Sequence, residues 1–155
     1  MKPNNKLYFA LLIIGLIIIA GCSSPQNNTS SSNGGTKITV FKSATCGCCV
    51  GWIAELEKNG FEVEAIDVPD MSSIKQKYNI PRSIESCHTA IVGDYFIEGH
   101  VPIEAVNKLL EEQPDIDGIA LPRMPAGSPG MPGAKKAPFK IYALSNGEIS
   151  EFMTI

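Results

Sequence analysis

The chain has 155 residues, 13 of them basic and 16 acidic, for a net charge of −3. That length bounds it to about one folded domain. No basic patch exists to neutralise phosphates, so nucleic acid is excluded as a partner. No internal repeat of the solenoid kind is present.

Lys2 and Lys6 flank a polar start, and Leu7 to Ala20 is an almost unbroken apolar run. It falls short of the ~20 residues that span a bilayer comfortably. A basic n-region, an apolar stretch and a small-residue end before Cys22 read as a secretory signal over residues 1–21. Ala20-Gly21-Cys22 resembles the bacterial lipobox, in which the cysteine becomes the lipidated first residue of the mature protein. A retained membrane anchor is the alternative. Either way the domain is expected to face the periplasm or the exterior, tied to the cell envelope. Residues 22–36 are rich in Ser, Asn and Gly and read as a flexible tether. All 16 acidic residues follow it. Residues 37–155 are expected to form the domain.

Ile38-Thr39-Val40-Phe41 reads as a buried strand. Three cysteines follow at once, Cys46, Cys48 and Cys49. A helical pattern then begins, with Trp52, Ile53 and Leu56 on one face and Glu55, Glu57 and Lys58 on the other. The thiols therefore sit where a strand gives way to a helix N-terminus. There, unpaired N–H groups and the helix dipole favour the thiolate, the form that binds metal or attacks a disulfide. Trp52 reads as core. The helix is expected to run to about Asn59, with Gly60 as its C′ residue.

Phe61 to Val68 alternates as a strand, which makes a strand–helix–strand unit with parallel strands. Asp70 is placed to cap a short helix through Tyr78, with Ile74 and Tyr78 inward. Cys87-His88 leads into Thr89-Ala90-Ile91-Val92, Gly93-Asp94 turns, and Tyr95-Phe96-Ile97 returns, a β-hairpin. Pro102 opens a further helix with Ile103, Val106, Leu109 and Leu110 on its apolar face. Ile119 to Pro138 is rich in Pro and Gly, lacks any period, and reads as a long loop. Phe139–Leu144, Asn146-Gly147 and Glu148–Phe152 read as a second hairpin.

The order βαβ, helix, ββα is that of an α/β thioredoxin or glutaredoxin fold, here with a C-terminal Pro/Gly/Met loop and an extra β-hairpin. Cys46 and Cys49 have the C-x-x-C spacing of its redox motif. Where that fold carries a cis-proline, this chain has Cys87 and His88, side chains of the ligand type.

Cys46, Cys48, Cys49 and Cys87 offer up to four thiolates, with His88 adjacent. Two structural disulfides would also use four thiols in an oxidising compartment. Crowding of three sulfurs into four positions favours shared chemistry instead, since such tight loops add little entropic stabilisation. Soft sulfur selects Cu(I) or Zn(II). Structural zinc sites mostly use two separated knuckles, so copper is the metal expected and zinc the alternative. His88 reads equally as a ligand and as a strand-edge histidine. His100 reads as structural, with a role in orienting a ligand as the alternative. Met124 and Met131 are thioether candidates for the same ion, or apolar plugs for the loop.

The stretches TCGCCVGW, ESCHTAIVGDYFIEGHVP and GIALPRMPAGSPGM together resemble the CopG-type metal-binding family, also labelled domain of unknown function 411. The resemblance spans about Lys37 to Met131. It implies a periplasmic or surface thioredoxin-like protein tied to copper resistance, with Cu(I) on Cys46, Cys48, Cys49 and Cys87. The first expectation is thus a non-enzymatic copper-binding protein that sequesters the ion or passes it to an exporter or oxidase. The second is a thiol-disulfide oxidoreductase using Cys46 and Cys49, coupled or not to copper redox. A zinc-stabilised structural module is the third.

Overall fold

The computed structural model describes residues 35–155. The expected signal, the expected lipidation site Cys22 and nearly all of the expected tether lie outside the described residues. Among the described residues, three helices pack on one seven-stranded mixed sheet of order β2-β1-β3-β4-β5-β6-β7.

Strand β1 (Lys37–Lys42) runs into helix α1 (Gly47–Lys58), and strand β2 (Glu62–Asp67) returns parallel to β1. Helix α1 stops where the sequence says it should, with Gly60 at a φ of 87° that a Cβ would disfavour. Helix α2 (Ser72–Lys77) is a short connector. Asp70 Oδ1 accepts the Ser72 N–H at its start. The buried residue of this helix is Lys75, whereas Ile74 and Tyr78 are half-buried. Tyr78 packs against a core cluster, as expected; what the pattern missed is Lys75, drawn inward by an ion pair described below.

Strands β3 (His88–Val92) and β4 (Tyr95–Glu98) form the antiparallel hairpin around Gly93-Asp94, with β3 also antiparallel to β1. Helix α3 (Ile103–Glu112) follows, with Pro102 at its N-cap. The expected loop from Ile119 is then corrected at its start. Strand β5 (Gly118–Ala120) pairs parallel to β4 and antiparallel to β6 (Lys140–Ser145), and β7 (Glu148–Thr154) closes the edge. Three residues are too few to show alternation, so only their pairing partners define β5. The C-terminal hairpin thereby docks as an extension of the sheet.

Alternation along the strands divides the core. Val40, Ala90, Ile97 and Ile119 face α1 and α3, against Trp52, Leu56 and Leu109. Phe96, Ala120 and Leu144 pack with Ile80 and Ile84 in a second, smaller cluster. The C-terminal end of β1, the start of α1 and the open end of the β3–β4 hairpin meet at one corner. In register, Lys42 lies opposite His88.

Candidate metal centre

At that corner Ser43 to Thr45 turn the chain, with the Cys46 N–H donating to the Ser43 carbonyl at 3.0 Å. Cys46 then stands at the N-cap of α1, and Cys48 and Cys49 lie in its first turn. No acidic side chain occupies this turn, so the helix end keeps its positive character for sulfur. Cys49 is fully buried, while Cys46 and Cys48 are half-buried. Cys46 and Cys49 form a disulfide with Cα atoms 5.4 Å apart. Cys48 and Cys87 are free thiols.

Cys87 arrives from the hairpin side. Its Sγ lies 3.6 Å from Cys49 Sγ, and Cys48 Sγ lies 3.6 Å from Cys46 Sγ. The four sulfurs are all within 4.8 Å of one another. Burial pushes the Cys87 thiol up to about 12, with the neighbouring Cys48 adding to the shift. A bound cation would reverse that cost, because charge on the metal replaces the missing solvent.

Two imidazoles complete the cluster. Cys87, His88 and His100 bring ligand atoms within 4.8 Å of one another. His100 Nε2 is 3.1 Å from Cys87 Sγ, and His100 Nδ1 is 2.7 Å from the Pro129 carbonyl. A carbonyl only accepts, so Nδ1 carries the hydrogen and Nε2 presents its lone pair to sulfur. This is the arrangement in which a carbonyl orients a ligating histidine. His88 is fully buried, its Nδ1 is 3.4 Å from Cys87 Sγ, and its ring lies 4.5 Å from the Trp52 ring. Trp52 is core, as expected, and is anchored by its indole N–H on the Val101 carbonyl at 2.9 Å. His88 Nε2 has no hydrogen-bond partner among the described residues. Burial, then the nearby His100 and Lys75, lowers the His88 pKa to about 3, so the ring is neutral and able to ligate. Burial likewise lowers His100.

Chemically, this is a set of soft donors with neutral nitrogens beside them, in a half-covered corner. It suits Cu(I) or Zn(II) and poorly suits a hard, oxygen-seeking cation.

The sequence reasoning missed two features. The first is the closeness of His100. A two-residue turn at Gly93-Asp94 pairs Thr89 with Glu98, and the Gly99 N–H donates to the His88 carbonyl. One more step along that register sets Cys87 opposite His100, so the turn was the available signal. The second is a buried carboxylate. Glu98 Oε1 accepts from Lys75 Nζ and from the Ser86 N–H, and Oε2 accepts from Thr89 Oγ1. One carboxylate thus grips the residues on both sides of Cys87-His88. Burial pushes the Glu98 carboxyl upward, against the opposing pull of Lys75, Thr89 and Ser86. The Pro/Gly loop closes the corner: Gly130 at φ 79° lies against the Cys48 carbonyl and the Trp52 nitrogen, where no Cβ fits. Met124 is exposed, in a groove with Leu121, Arg123 and Tyr142. Met131 follows Gly130 directly and is half-buried.

Comparison with known proteins bears on this geometry. Two solved structures match, titled copper resistance protein copG, form 2 and form 1. Each is 40% identical to this chain over 77% of its length, with TM-scores of 0.72 and 0.71 and coverage of 97% and 96% of their own chains. No curated protein matches. The family described as protein of unknown function, DUF411, matches residues 84–131, the stretch that holds Cys87, both histidines and the closing loop. With that family's own segment forming the imidazole side of the corner, and with 40% identity to CopG structures over nearly their whole length, the chain belongs to the DUF411 family.

Proposed function

We propose that this is a cell-envelope copper-binding protein that holds Cu(I) on clustered cysteines for copper resistance, by sequestration or transfer. The observation that carries this reading is the shared position of Cys87. It belongs at once to the four-sulfur group and to the group with His88 and His100. Sulfur able to bridge and nitrogen able to ligate are what low-coordinate Cu(I) requires. Cys46, Cys48, Cys49 and Cys87 would hold the ion with His88, and His100 joins them as a nitrogen donor oriented by Pro129. Closely spaced donors let an ion pass by ligand exchange to an exporter or oxidase without becoming free. The titles of the two 40% identical structures support copper over zinc. The strand order β2-β1-β3-β4, with β1 parallel to β2 and antiparallel to β3, supports a thioredoxin-like core. The apolar run before Cys22 supports export and lipid anchoring.

Mass spectrometry of fully reduced, anaerobically reconstituted protein should show bound Cu(I), and Cys48→Ser should weaken it sharply. Full stoichiometry in that variant defeats the reading. Zinc in place of copper would show as a domain that unfolds on chelation.

The Cys46–Cys49 bond favours a second reading, a thiol-disulfide oxidoreductase. Insulin reduction without metal, abolished by Cys46→Ser, would establish it. The two readings meet in one requirement: both sulfurs must be reduced before they can ligate, so copper loading is expected to follow the thiol state of this pair.

A further inference from the structure

Charge is unevenly spread along this chain. Residues 118–147 carry four basic side chains, Arg123, Lys135, Lys136 and Lys140, and no acidic one, in a chain whose net charge is −3. The same stretch lines a groove. Its volume is about 490 Å³, and Leu121, Arg123, Met124, Phe139, Lys140 and Tyr142 form its walls with prolines between them. A second hollow of about 190 Å³ adjoins it, sharing Pro125, Pro138 and Phe139 and adding Lys136. Lys135 Nζ lies 4.7 Å from the centre of the Phe139 ring. Leu121 and Phe139 are buried, whereas Arg123 and Met124 are exposed. The two hollows make a connected apolar track with cations along its rim, a shape that suits an extended chain.

Arg123 is the informative residue. Its φ of 66° is left-handed, a region that costs an L side chain energy and that glycine fills freely. Both of its backbone groups are fixed there. The N–H donates to the Glu85 carbonyl at 3.2 Å, and the carbonyl accepts from Ser86 Oγ. The guanidinium makes no ion pair among the described residues. An arginine is thus held at a strained position with its charge unused inside the molecule, the mark of a side chain kept for an outside ligand. Lys140 meets Glu151 only at 3.9 Å, the limit of an ion pair. The groove is also fastened to the metal corner. Glu85 and Ser86 directly precede Cys87, and the Leu121 N–H donates to the Glu98 carbonyl at 3.0 Å. We propose that this groove docks an acidic, extended peptide segment of a partner protein. Its carboxylates pair with Arg123 and the lysines, and an apolar side chain lies against Met124, Phe139 and Tyr142. Arginine, methionine and aromatic side chains are those enriched at protein interfaces. Cations around an apolar floor suit carboxylates on a peptide and not a phosphate backbone. Residues 1–34 of this chain hold Lys2 and Lys6 and no acidic residue, so they do not supply the complement. The docked segment lies next to the strand start that carries Cys87. A role for that partner in receiving the ion rests on the copper reading; its docking does not.

The experiment pans a random peptide library, displayed on phage, against the metal-free reduced chain. The selected peptides should be rich in Asp and Glu around an aromatic or aliphatic residue. Binding of one such synthetic peptide, followed by fluorescence anisotropy, should weaken as salt rises. Arg123→Glu should weaken it by roughly tenfold or more, since it sets like charges against each other. Met124→Ser, which leaves the charge alone, should weaken it by roughly fivefold. Both positions are exposed, so the variants are expected to fold. Selected peptides without acidic residues, or equal binding to Arg123→Glu, overturn the proposal. So does a dimer of this chain in sedimentation that Arg123→Glu disperses, because the occupant is then a second copy. Cu(I) stoichiometry in Arg123→Glu should match that of the unaltered chain; a fall would make Arg123 part of the metal site and overturn the docking role. Absence of Cu(I) from the unaltered chain, with peptide binding intact, would count against the metal reading alone.

Discussion

Two fully buried ionisable side chains sit on neighbouring strands of one hairpin and differ in how they are satisfied. Glu98 meets a lysine, a backbone N–H and a hydroxyl, so both its oxygens are used. His88 Nε2, equally buried, has no hydrogen-bond partner among the described residues. Burying a polar group without a partner costs free energy, so evolution tolerates it where something else is gained. Glu98 reads as a structural bracket that holds Cys87-His88 in place. His88 reads as a nitrogen kept neutral and oriented for a ligand. His88 belongs to the dipeptide that Glu98 brackets, which makes the contrast testable.

The largest effect is expected on the Glu98 side. Glu98→Ala strands Lys75 in the interior, and losing one partner of a buried pair costs about 3–5 kcal/mol. Urea unfolding of the metal-free protein checks it. Lys75→Met combined with Glu98→Leu should recover only part of that stability: apolar packing can replace the buried ion pair, but the Ser86 N–H and the Thr89 hydroxyl still lose their acceptor. If the bracket positions the site, the double variant still binds Cu(I) about 10- to 100-fold more weakly. Unchanged affinity would make the pair structural only.

On the His88 side the signature is pH. Its folded pKa of about 3 lies below the ordinary 6.5, so the unfolded chain binds more protons between those values. Stability is fully present above pH 6.5 and falls as pH drops toward 3, by up to ~1.4 kcal/mol per pH unit from this group. His88→Phe should flatten that part of the profile in denaturant titrations from pH 7 to 4. An unaltered slope would assign the dependence to other groups.

A smaller effect is expected where the loop meets the helix. Gly130→Ala adds a Cβ about 2.5 Å from the Cys48 carbonyl at a φ that favours glycine. The cost should be at least about 1 kcal/mol by thermal unfolding. Hydrogen exchange should show the loosening confined to residues near Pro129 and the α1 N-terminus.

Much of the fold was legible from local pattern. The strand before the thiols, the helix after them, its Gly60 stop and the Gly93-Asp94 hairpin all follow from side-chain periodicity and turn chemistry within a few residues. Strand β5 was not, since its identity comes from β4 and β6 on either side. Lys75 on a helix reads as a solvated residue until Glu98, 23 positions away, is brought beneath it. The site divides the same way. The positions of Cys46, Cys48 and Cys49 on α1 follow from adjacency, and Cys87 with His88 from ligand-type residues at a strand start.

By itself, then, the sequence determined which atoms are available: clustered thiols at a helix start and a second sulfur beside a histidine. Tertiary structure alone decided that they converge, that His100 joins them and that Pro129 orients it. The reason is physical. Local pattern sets backbone shape within a turn or two, whereas distance between sulfur atoms of residues 46–49 and 87 depends on strand pairing and packing across the whole sheet.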